Sequence, residues 1–249
     1  MFVLVLLPPS ETKALGGEGP PLDLDALSWP DLSPPRRKLA DAVVELAADV
    51  PASLVALGLS VRQQDEVSRN AELWTAPTVP ALRRYTGVLY DALGFASFSR
   101  REREKAHRRL VVASALFGLV GGADPIPAYR LSGASTLPAV GGLRSFWRPT
   151  LEPVLAEIDD LVVDLRSGTY AALAPIAGAV SVRVVTEDAT GRRLTVSHHN
   201  KMYKGRLAAV LVRLGREPST VDGLARAVSR AGLTVEVTAD RSLELLATD

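Results

Sequence analysis

The chain opens on an uninterrupted apolar run, Met1 to Leu7, which Pro8 and Pro9 end. A strand with one face in water would alternate apolar and polar residues, so this run predicts a strand over 2–7 that is buried on both faces of a helix-covered sheet. The run is too short to span a bilayer. It also lacks the basic start and the small-residue cleavage site of a signal peptide. We therefore expect a cytoplasmic protein with no membrane partner.

The rest of the chain alternates helical and strand patterns irregularly, which favours an α/β (mixed α+β) fold with a central mixed sheet flanked by helices. Helices are predicted over 36–48, 51–57, 60–71, 99–109, 144–158, 200–214 and 220–231, with a further one starting at 170. Strands are predicted over 110–113, 161–165, 180–187, 192–197, 234–237 and 242–246, of which 180–187 and 192–197 form a hairpin. Residues 84–93 and 116–127 are predicted to be turn and loop. We expect one domain over 1–249.

Charge and composition limit the kinds of site that such a domain can hold. The 249 residues include 29 basic and 28 acidic side chains, so any nucleic-acid site must be a local patch. The absence of cysteine excludes disulfides, thiolate chemistry and cysteine-bound zinc or iron–sulfur centres. There are only three histidines, and no carboxylate–histidine spacing is typical of an iron site. We expect neither a metal nor another cofactor.

The most unusual charge pattern lies between residues 189 and 216, where seven Lys or Arg residues occur without an Asp or Glu. Its centre is the segment 197–206, Ser-His-His-Asn-Lys-Met-Tyr-Lys-Gly-Arg. Helical spacing places Tyr203 and Leu207 on an apolar face and Lys201, Lys204 and Arg206 on the opposite arc. Charge runs of this kind often form only a solvated face.

The position of the two lysines argues against a merely solvated face. Both fall in the first turn after Asn200, the expected N-cap, where exposed N–H groups already carry about half a positive charge. Each cation there costs about 0.3–1 kcal/mol unless an anion is near. A bound phosphate or carboxylate would supply that anion, and so would a buried carboxylate of the protein itself. Of the two preceding histidines, His198 and His199, at most one faces the same site, and His199 is the candidate.

A second basic helix is predicted over 99–109, where six Lys or Arg residues accompany two Glu. It either extends a phosphate-tracking surface or, more simply, is a solvated helix with i,i+4 ion pairs. Trp147, which lies beside Arg144 and Arg148, is the one tryptophan that we consider for stacking on a base.

Several further segments are informative when they are taken together. They are 6–13 (Leu-Leu-Pro-Pro-Ser-Glu-Thr-Lys), 85–90 (Tyr-Thr-Gly-Val-Leu-Tyr), 114–119 with 124–131, 146–147 (Phe-Trp), 163–170 (Val-Asp-Leu-Arg-Ser-Gly-Thr-Tyr) and 201–207. None is specific alone, but their order over nearly the whole chain resembles the peroxide stress protein YaaA family. The resemblance implies a positively charged cleft, and links to hydrogen peroxide stress, to lowered free iron and to DNA binding through a helix-hairpin-helix-like element.

One segment departs from the pattern of that family. The family commonly has Ser-Pro-x-Lys-Thr after the first strand, whereas this chain continues as Pro8-Pro9-Ser10-Glu11-Thr12-Lys13. A glutamate takes the place of the lysine, and the lysine follows the threonine. The role of the family lysine therefore does not carry over directly to Lys13.

Polar residues follow the predicted ends of two buried strands, and this is the edge at which open α/β sheets bind ligands. We expect these residues to share one cleft with the lysines of the basic segment. The candidate ligand-binding residues are Ser10, Thr12, Lys13, Tyr85, Gly87, Tyr90, Arg130, Arg166, Ser167, Tyr170, His199, Lys201, Lys204 and Arg206. The first function expected is binding of DNA phosphates in the peroxide stress response, which alanine at both Lys201 and Lys204 should weaken.

A catalytic cleft is the main alternative, with Glu11, Asp164 and Tyr129 as candidate catalytic residues. A carboxylate among tyrosines and cations can assist the attack of water on a glycosidic carbon, which would make the protein a hydrolase of the N-glycosidic bond in a nucleotide, nucleoside or related substrate. Asp164 is more simply explained as an N-cap or as an ion-pair partner of Arg130 or Arg166. A small-molecule binding module without chemistry is a third hypothesis. The expected partner is DNA or a phosphate-bearing nucleotide, with no obligate protein partner.

Overall fold

A large mixed sheet organises the chain in a computed structural model of the protein, which describes residues 2–188, 192–195 and 199–247. Its strands are β1 (Val3–Leu7), β2 (Val79–Pro80), β3 (Leu110–Ser114), β4 (Gly118–Gly121), β5 (Pro125–Ile126), β6 (Thr136–Leu137), β7 (Gly141–Gly142), β8 (Leu161–Asp164), β9 (Val180–Glu187), β10 (Arg193–Thr195), β11 (Val235–Ala239) and β12 (Ser242–Leu246). The α-helices are α1 (Ser33–Ala47), α2 (Val50–Leu57), α3 (Asp65–Ala71), α4 (Ala81–Arg84), α5 (Val88–Leu93), α6 (Arg100–Arg109), α7 (Leu143–Ala156), α8 (Gly168–Ala171), α9 (Asn200–Arg213) and α10 (Val221–Arg230).

The main sheet has the strand order β11-β12-β9-β8-β1-β3-β4, and β10 pairs with β9. The inner strands β12, β9, β8, β1 and β3 run parallel to one another, while β11 and β4 are antiparallel to their neighbours. Val5 lies between Leu110 on one side and Val163 on the other, and it is fully buried. The apolar first segment is thus a central strand, and the predicted mixed sheet with flanking helices is confirmed. Within the described ranges, no helix combines the length and the apolar character needed to cross a membrane.

The predictions of turn and loop over 84–93 and 116–127 are wrong, because both contain regular elements. Helix α5 has only six residues and is bounded by Gly87 and Gly94, two glycines with positive φ that resemble turn signals in the sequence. Strand β4 contains two glycines in four residues and pairs with β3. Tertiary packing stabilises both elements. In α5, Leu89 and Leu93 are buried in the core, and all four residues of β4 are buried.

The predicted hairpin is present in part, since β9 and β10 are antiparallel and Arg193 pairs with Glu187. Its turn at 189–191 and the residues 196–198, among them Ser197 and His198, lie outside the described residues. Asn200 is not the N-cap of the following helix. It is the first helical residue, and His199 precedes it without a capping hydrogen bond from its side chain.

The buried surface of helix α9 is wider than the single apolar face that the sequence predicts. Besides Tyr203, Leu207 and Leu211, the small residues Gly205, Ala208 and Ala209 are buried, as is Val212. A Cβ atom on Gly205 would lie 2.2 Å from the carbonyl oxygen of Leu89 in α5. This close approach fixes α9 against α5 and places its first turn beside the residues that follow β1.

Candidate functional site

The candidate site lies where β1 and β8 end side by side. Leu6 of β1 pairs with Asp164 of β8, so the segments that leave the two strands emerge at the same edge of the sheet. Two cavities open there and share Pro8, Pro9, Glu11 and Lys201 in their walls. We call them together the cleft.

The two cavities differ in size and in lining. The larger, of about 450 Å³, is lined by Pro8, Pro9, Glu11, Ser132, Arg166, Ser167, Gly168, Thr169, Tyr170, Asn200, Lys201 and Lys204. The smaller, of about 280 Å³, is lined by Pro8, Pro9, Ser10, Glu11, Thr12, Thr86, Gly87, Val88, Leu89, Tyr90 and Lys201. The cleft therefore brings together ten of the residues that the sequence nominates: Ser10, Glu11, Thr12, Gly87, Tyr90, Arg166, Ser167, Tyr170, Lys201 and Lys204.

Glu11 stands between the two cavities and forms an ion pair with Arg130. The distance from Arg130 Nη2 to Glu11 Oε2 is 3.5 Å, and neither Glu11 Oε2 nor Arg130 Nε has a hydrogen-bond partner among the described residues. Asn70 holds the main chain of Arg130 from both sides, since its Nδ2 donates to the Arg130 carbonyl and its Oδ1 accepts from the Arg130 amide, each over 2.8 Å. The two hydrogen bonds from Asn70 therefore fix the main chain that carries the Arg130 guanidinium.

Behind Glu11, the amine of Lys13 is enclosed by aromatic rings. Its Nζ donates to the carbonyls of Ser10 (2.9 Å) and Glu11 (3.3 Å) and lies 4.2 Å from the ring centre of Tyr129. Burial lowers the pKa of Lys13 from 10.5 to about 7; Glu11 opposes this shift and Arg130 adds to it. Near neutral pH this amine therefore exchanges between charged and neutral forms.

A chain of hydroxyl groups continues from this amine to the end of β3. The hydroxyls of Tyr85 and Tyr129 lie 2.9 Å apart, and Tyr129 contacts Ser114 Oγ over 2.8 Å. Burial raises the pKa of Tyr85 to about 12 and that of Tyr129 well above its usual value, so both phenols stay protonated. Tyr170 lines the larger cavity, and burial, reinforced by Glu11, raises its pKa as well.

Asp164 and Arg166 form a buried bidentate pair. Arg166 Nε and Nη2 donate to Asp164 Oδ1 (2.9 Å) and Oδ2 (2.8 Å), and Arg166 Nη1 donates to the carbonyl of Ala174 (3.0 Å). Both carboxylate oxygens are therefore engaged by one guanidinium, as in the ion-pair interpretation of Asp164. The charge of Arg166 is largely neutralised inside the protein.

The two lysines of α9 have different surroundings. Lys204 Nζ donates to the carbonyls of Leu165 (3.1 Å) and Arg166 (3.3 Å), and burial lowers its pKa, while Asp164 acts in the opposite direction. Lys201 is exposed, and its side-chain amine has no hydrogen bond or ion pair with any residue in the described ranges. Of the cations that line the cleft, Arg166 and Lys204 are engaged by protein acceptors, whereas the amine of Lys201 is exposed to solvent.

The smaller cavity is rimmed by hydroxyl groups. Ser10 Oγ and Thr12 Oγ1 lie 3.1 Å apart, and Thr86 Oγ1 donates to Thr12 Oγ1 over 3.2 Å. A Cβ on Gly87 would lie within 3.4 Å of two of these hydroxyls, and its φ of +93° also favours glycine. Tyr90 closes the floor, with its hydroxyl donating to the carbonyl of Pro8 over 2.8 Å.

Other nominated residues lie outside the cleft walls. Lys13, Tyr85, Tyr129, Arg130 and Asp164 support the walls from behind, whereas His199 and Arg206 are exposed and line neither cavity.

Trp147 is fully buried, with its Nε1 donating to the carbonyl of Ala115, so it is a core residue and not a stacking platform. Within the described ranges, no three His, Asp or Glu side chains gather closely enough to hold a metal ion.

Sequence reasoning missed several residues that shape the site, among them Asn70, Thr86, Ser114, Ser132 and Thr169. Asn70 and Ser114 act through contacts distant in sequence, to Arg130 and Tyr129. The Ser- and Gly-rich stretch after Leu131 was a signal for Ser132, since such stretches commonly form loops at binding edges.

The fold and the cleft define a class of α/β protein with a mixed sheet and a ligand-sized cleft at the carboxyl edge of its parallel strands. Within that class, the chain belongs to the peroxide stress protein YaaA family, whose sequence model matches residues 3–237. The family resemblance of the separate segments is thereby confirmed.

Relatives of nearly equal length support this assignment. A UPF0246 protein of Corynebacterium efficiens is 44% identical over 243 residues, covering 96% of this chain and 97% of the relative. A UPF0246 protein of Corynebacterium glutamicum is 44% identical over 239 residues, covering 94% and 95%. One from Streptomyces coelicolor is 43% identical over 242 residues, covering 95% and 93%.

Proposed function

We propose that this protein binds DNA in the peroxide stress response, through the cleft at the carboxyl ends of β1 and β8. The observation that carries the proposal is the position of Lys201. It is exposed between the two cavities, in the first turn of a 14-residue helix that has no acidic residue in that turn. The family's association with peroxide stress supplies the physiological setting.

A cation in the first helical turn is favourable only when an anion lies near it. Both carboxylate oxygens of the nearby Asp164 accept hydrogen bonds from Arg166, and Glu11 forms an ion pair with Arg130. Neither carboxylate is therefore paired with Lys201. A phosphate at Lys201 would also accept from the free N–H groups of the helix start, which is a common phosphate-binding arrangement. Because the net charge of the protein is only +1, its affinity for DNA has to come from such local phosphate contacts and not from the electric field of the whole molecule.

The test is the affinity of single variants for a fluorescent duplex and a fluorescent single strand, measured by anisotropy. Lys201→Ala should weaken binding by about fivefold to tenfold at 0.1 M salt, because one phosphate contact is lost. Lys38→Ala is the matched control, since Lys38 is exposed on α1 and lines neither cavity. Equal affinity of the two variants would remove the cleft as the DNA site. Lys204→Ala is less informative, because it also removes hydrogen bonds to Leu165 and Arg166.

A hydrolase of N-glycosidic bonds is the second candidate function, and the placement of Glu11 favours it. Glu11 lines both cavities and its side chain is 43% exposed beside its ion-pair partner Arg130, so its carboxylate reaches the water of the cleft. Asp164 is poorly placed for that role because both of its oxygens accept from Arg166.

Incubation with a panel of nucleotides and nucleosides, followed by chromatography for released base, tests this second function. Turnover that disappears in Glu11→Gln, a variant of nearly equal shape, would support hydrolysis with Glu11 as the base. No released base across the panel, from protein that binds DNA, would leave binding as the function.

A further inference from the structure

A cavity that is separate from the cleft lies at the other end of α9, between the loop 214–220 and one face of α10. Its volume is about 450 Å³, which falls in the range of small-molecule sites. Three arginines form part of its walls: Arg216 comes from the loop, and Arg226 and Arg230 come from α10. Arg226 and Arg230 are four residues apart, so they project from the same side of the helix.

The three arginines face this cavity without a protein carboxylate to neutralise them. All three are exposed, and none forms an ion pair with a residue in the described ranges. Glu217, the acidic residue of the wall, is engaged elsewhere, since Oε1 accepts from Arg109 Nη2 and Oε2 accepts from the amide of Val3. Asp222 lies one turn before Arg226 in α10 but lines a different cavity. Three guanidinium groups are therefore available to an anion.

The carboxyl end of α9 does not supply the missing negative charge. The free carbonyls at a helix C-terminus carry about half a negative charge. Here Lys105 Nζ donates to the carbonyl of Leu214 over 2.9 Å, and Arg109 donates to the carbonyls of Leu211 and Val212. Two cations of α6 thus already satisfy this end of the helix, and they add to the positive potential around the cavity.

Three guanidinium groups around one concave site match the oxygens of phosphate groups. Each guanidinium is planar and can donate two parallel hydrogen bonds to one phosphate. A phosphate monoester carries about −1.5 to −2 charges at pH 7, so three cations suit a diphosphate better than a single phosphate. The hydroxyl of Thr220 adds a donor in the wall, because its oxygen accepts from the amide of Gly223 over 3.1 Å and leaves its proton for a ligand.

We propose that this cavity binds a diphosphate group, with Arg216, Arg226 and Arg230 as its ligands. The diphosphate is either inorganic pyrophosphate or the end of a nucleoside diphosphate, and both sources share this chemistry. The site goes beyond the DNA binding proposed for the cleft and does not depend on it, because the two surfaces lie at opposite ends of α9.

The experiment is calorimetric titration of the full chain with inorganic pyrophosphate at about 0.1 M salt. Orthophosphate and sulfate serve as comparison anions, and each should bind at least about tenfold more weakly than pyrophosphate, because fewer charge-assisted hydrogen bonds are formed. ADP and AMP distinguish the two sources. ADP binds about as tightly as pyrophosphate if the cavity accepts a nucleoside diphosphate, and about as weakly as AMP if it accepts pyrophosphate alone.

Variants at exposed positions assign the binding to the arginines. Arg226→Gln and Arg230→Gln should each weaken pyrophosphate binding about tenfold, which corresponds to the loss of one charge-assisted hydrogen bond. Arg230→Lys keeps the charge but not the planar fork, so it should still bind severalfold more weakly than wild type. The matched control is Arg62→Gln, at an exposed arginine outside this cavity, which should keep the wild-type affinity.

Several results would overturn the proposal. They are no binding of pyrophosphate by the wild type, equal affinity for pyrophosphate and sulfate, or an equal loss in Arg62→Gln. Loss of binding in Lys201→Ala, with normal binding in the arginine variants, would place the diphosphate in the cleft instead.

DNA titrations with the same arginine variants separate a small ligand from the DNA backbone. Arg226→Gln and Arg230→Gln should bind duplex DNA as wild type does. A loss of DNA affinity in both would make the cavity part of the DNA surface and would overturn the diphosphate site. The DNA affinity of Lys201→Ala is a separate measurement, so failure of this proposal and failure of DNA binding by the cleft are distinguishable.

Discussion

At the scale of single residues, the enclosed cations differ in how well the protein satisfies their charge. Arg36 and Arg84 are fully buried, and each donates to several main-chain carbonyls, so they serve the fold. Lys13 has only two such acceptors and lies against the ring of Tyr129. Its charged form is therefore less well compensated than that of Arg36 or Arg84.

Lys13 should make stability depend on pH. Burial lowers its pKa from 10.5 to about 7, so between these values the unfolded chain binds a proton that the folded protein does not. The free energy of unfolding of the wild type should therefore rise with pH, relative to Lys13→Met, from pH 7 to 10. Urea denaturation at steps of one pH unit measures this difference. Lys38→Met, at an exposed position, should show no such trend; a constant difference for Lys13→Met would mean that its amine stays charged.

The pair of Asp164 and Arg166 should be costly to break. Asp164→Ala leaves the guanidinium of Arg166, whose side chain is 2% exposed, without its bidentate partner. A loss of about 3–5 kcal/mol is expected from such an uncompensated buried charge. Glu152→Ala removes the exposed partner of Arg148 and should cost no more than about 1 kcal/mol. Chemical denaturation of both variants provides the comparison, and similar small losses would show that Arg166 finds water or another partner.

The sequence allowed prediction of the site residues that lie next to strand ends, because the carboxyl edge of a parallel sheet is a general place for ligands. Glu11 was found in this way, whereas Lys201 was found from the charge pattern of the basic segment and its place in the first turn of a helix. Asn70 and Ser114 were not, because their roles depend on partners 60 and 15 residues away, which no local pattern identifies.

At the scale of elements, strong periodicity and capping signals predicted the structure well. Helix α6 begins after Ser99 with a capping box to Glu102, as its sequence indicates. Helix α7 persists over 14 residues although Pro149 and Pro153 lie within it, because its residues Trp147 and Leu151 are buried in the core. The short helix α5 could not be predicted, since its six residues are stabilised by packing on α9.

The crossing of α5 and α9 should be sensitive at Gly205. In a helix interior, Gly→Ala usually stabilises by up to about 1 kcal/mol. Here the new methyl group would lie 2.2 Å from the Leu89 carbonyl oxygen and 2.9 Å from Ala92 Cβ, so Gly205→Ala should instead destabilise by about 1–3 kcal/mol. Thermal unfolding measures the change.

A suitable control is Gly168→Ala, at the first residue of α8, where the methyl group meets no atom within 4 Å. This variant should unfold at or slightly above the wild-type temperature. If Gly205→Ala behaved like the control, α5 and α9 would have room to separate, and the start of α9 would not be fixed beside the cleft.

At the scale of the whole molecule, helix α9 separates two basic regions. Lys201 at its start faces the cleft, while its last turn is held by α6, through Arg109 donating to the carbonyls of Leu211 and Val212. A further cavity of about 450 Å³ follows that end and is lined in part by Arg226 and Arg230. A 14-residue helix is about 20 Å long, so the two regions are distinct surfaces.

The salt dependence of DNA binding should tell these two surfaces apart. Each phosphate contact contributes about −0.9 to the slope of log K against log salt for duplex DNA. Lys201→Ala should therefore reduce the magnitude of the slope by about one. The double variant Arg226→Ala and Arg230→Ala, at exposed positions, should leave it unchanged. The reverse result would place the DNA at the far end of α9, next to α10, and the cleft would then serve a ligand other than the DNA backbone. A smaller slope in both variants would mean that the DNA contacts both ends of α9 and spans its length of about 20 Å.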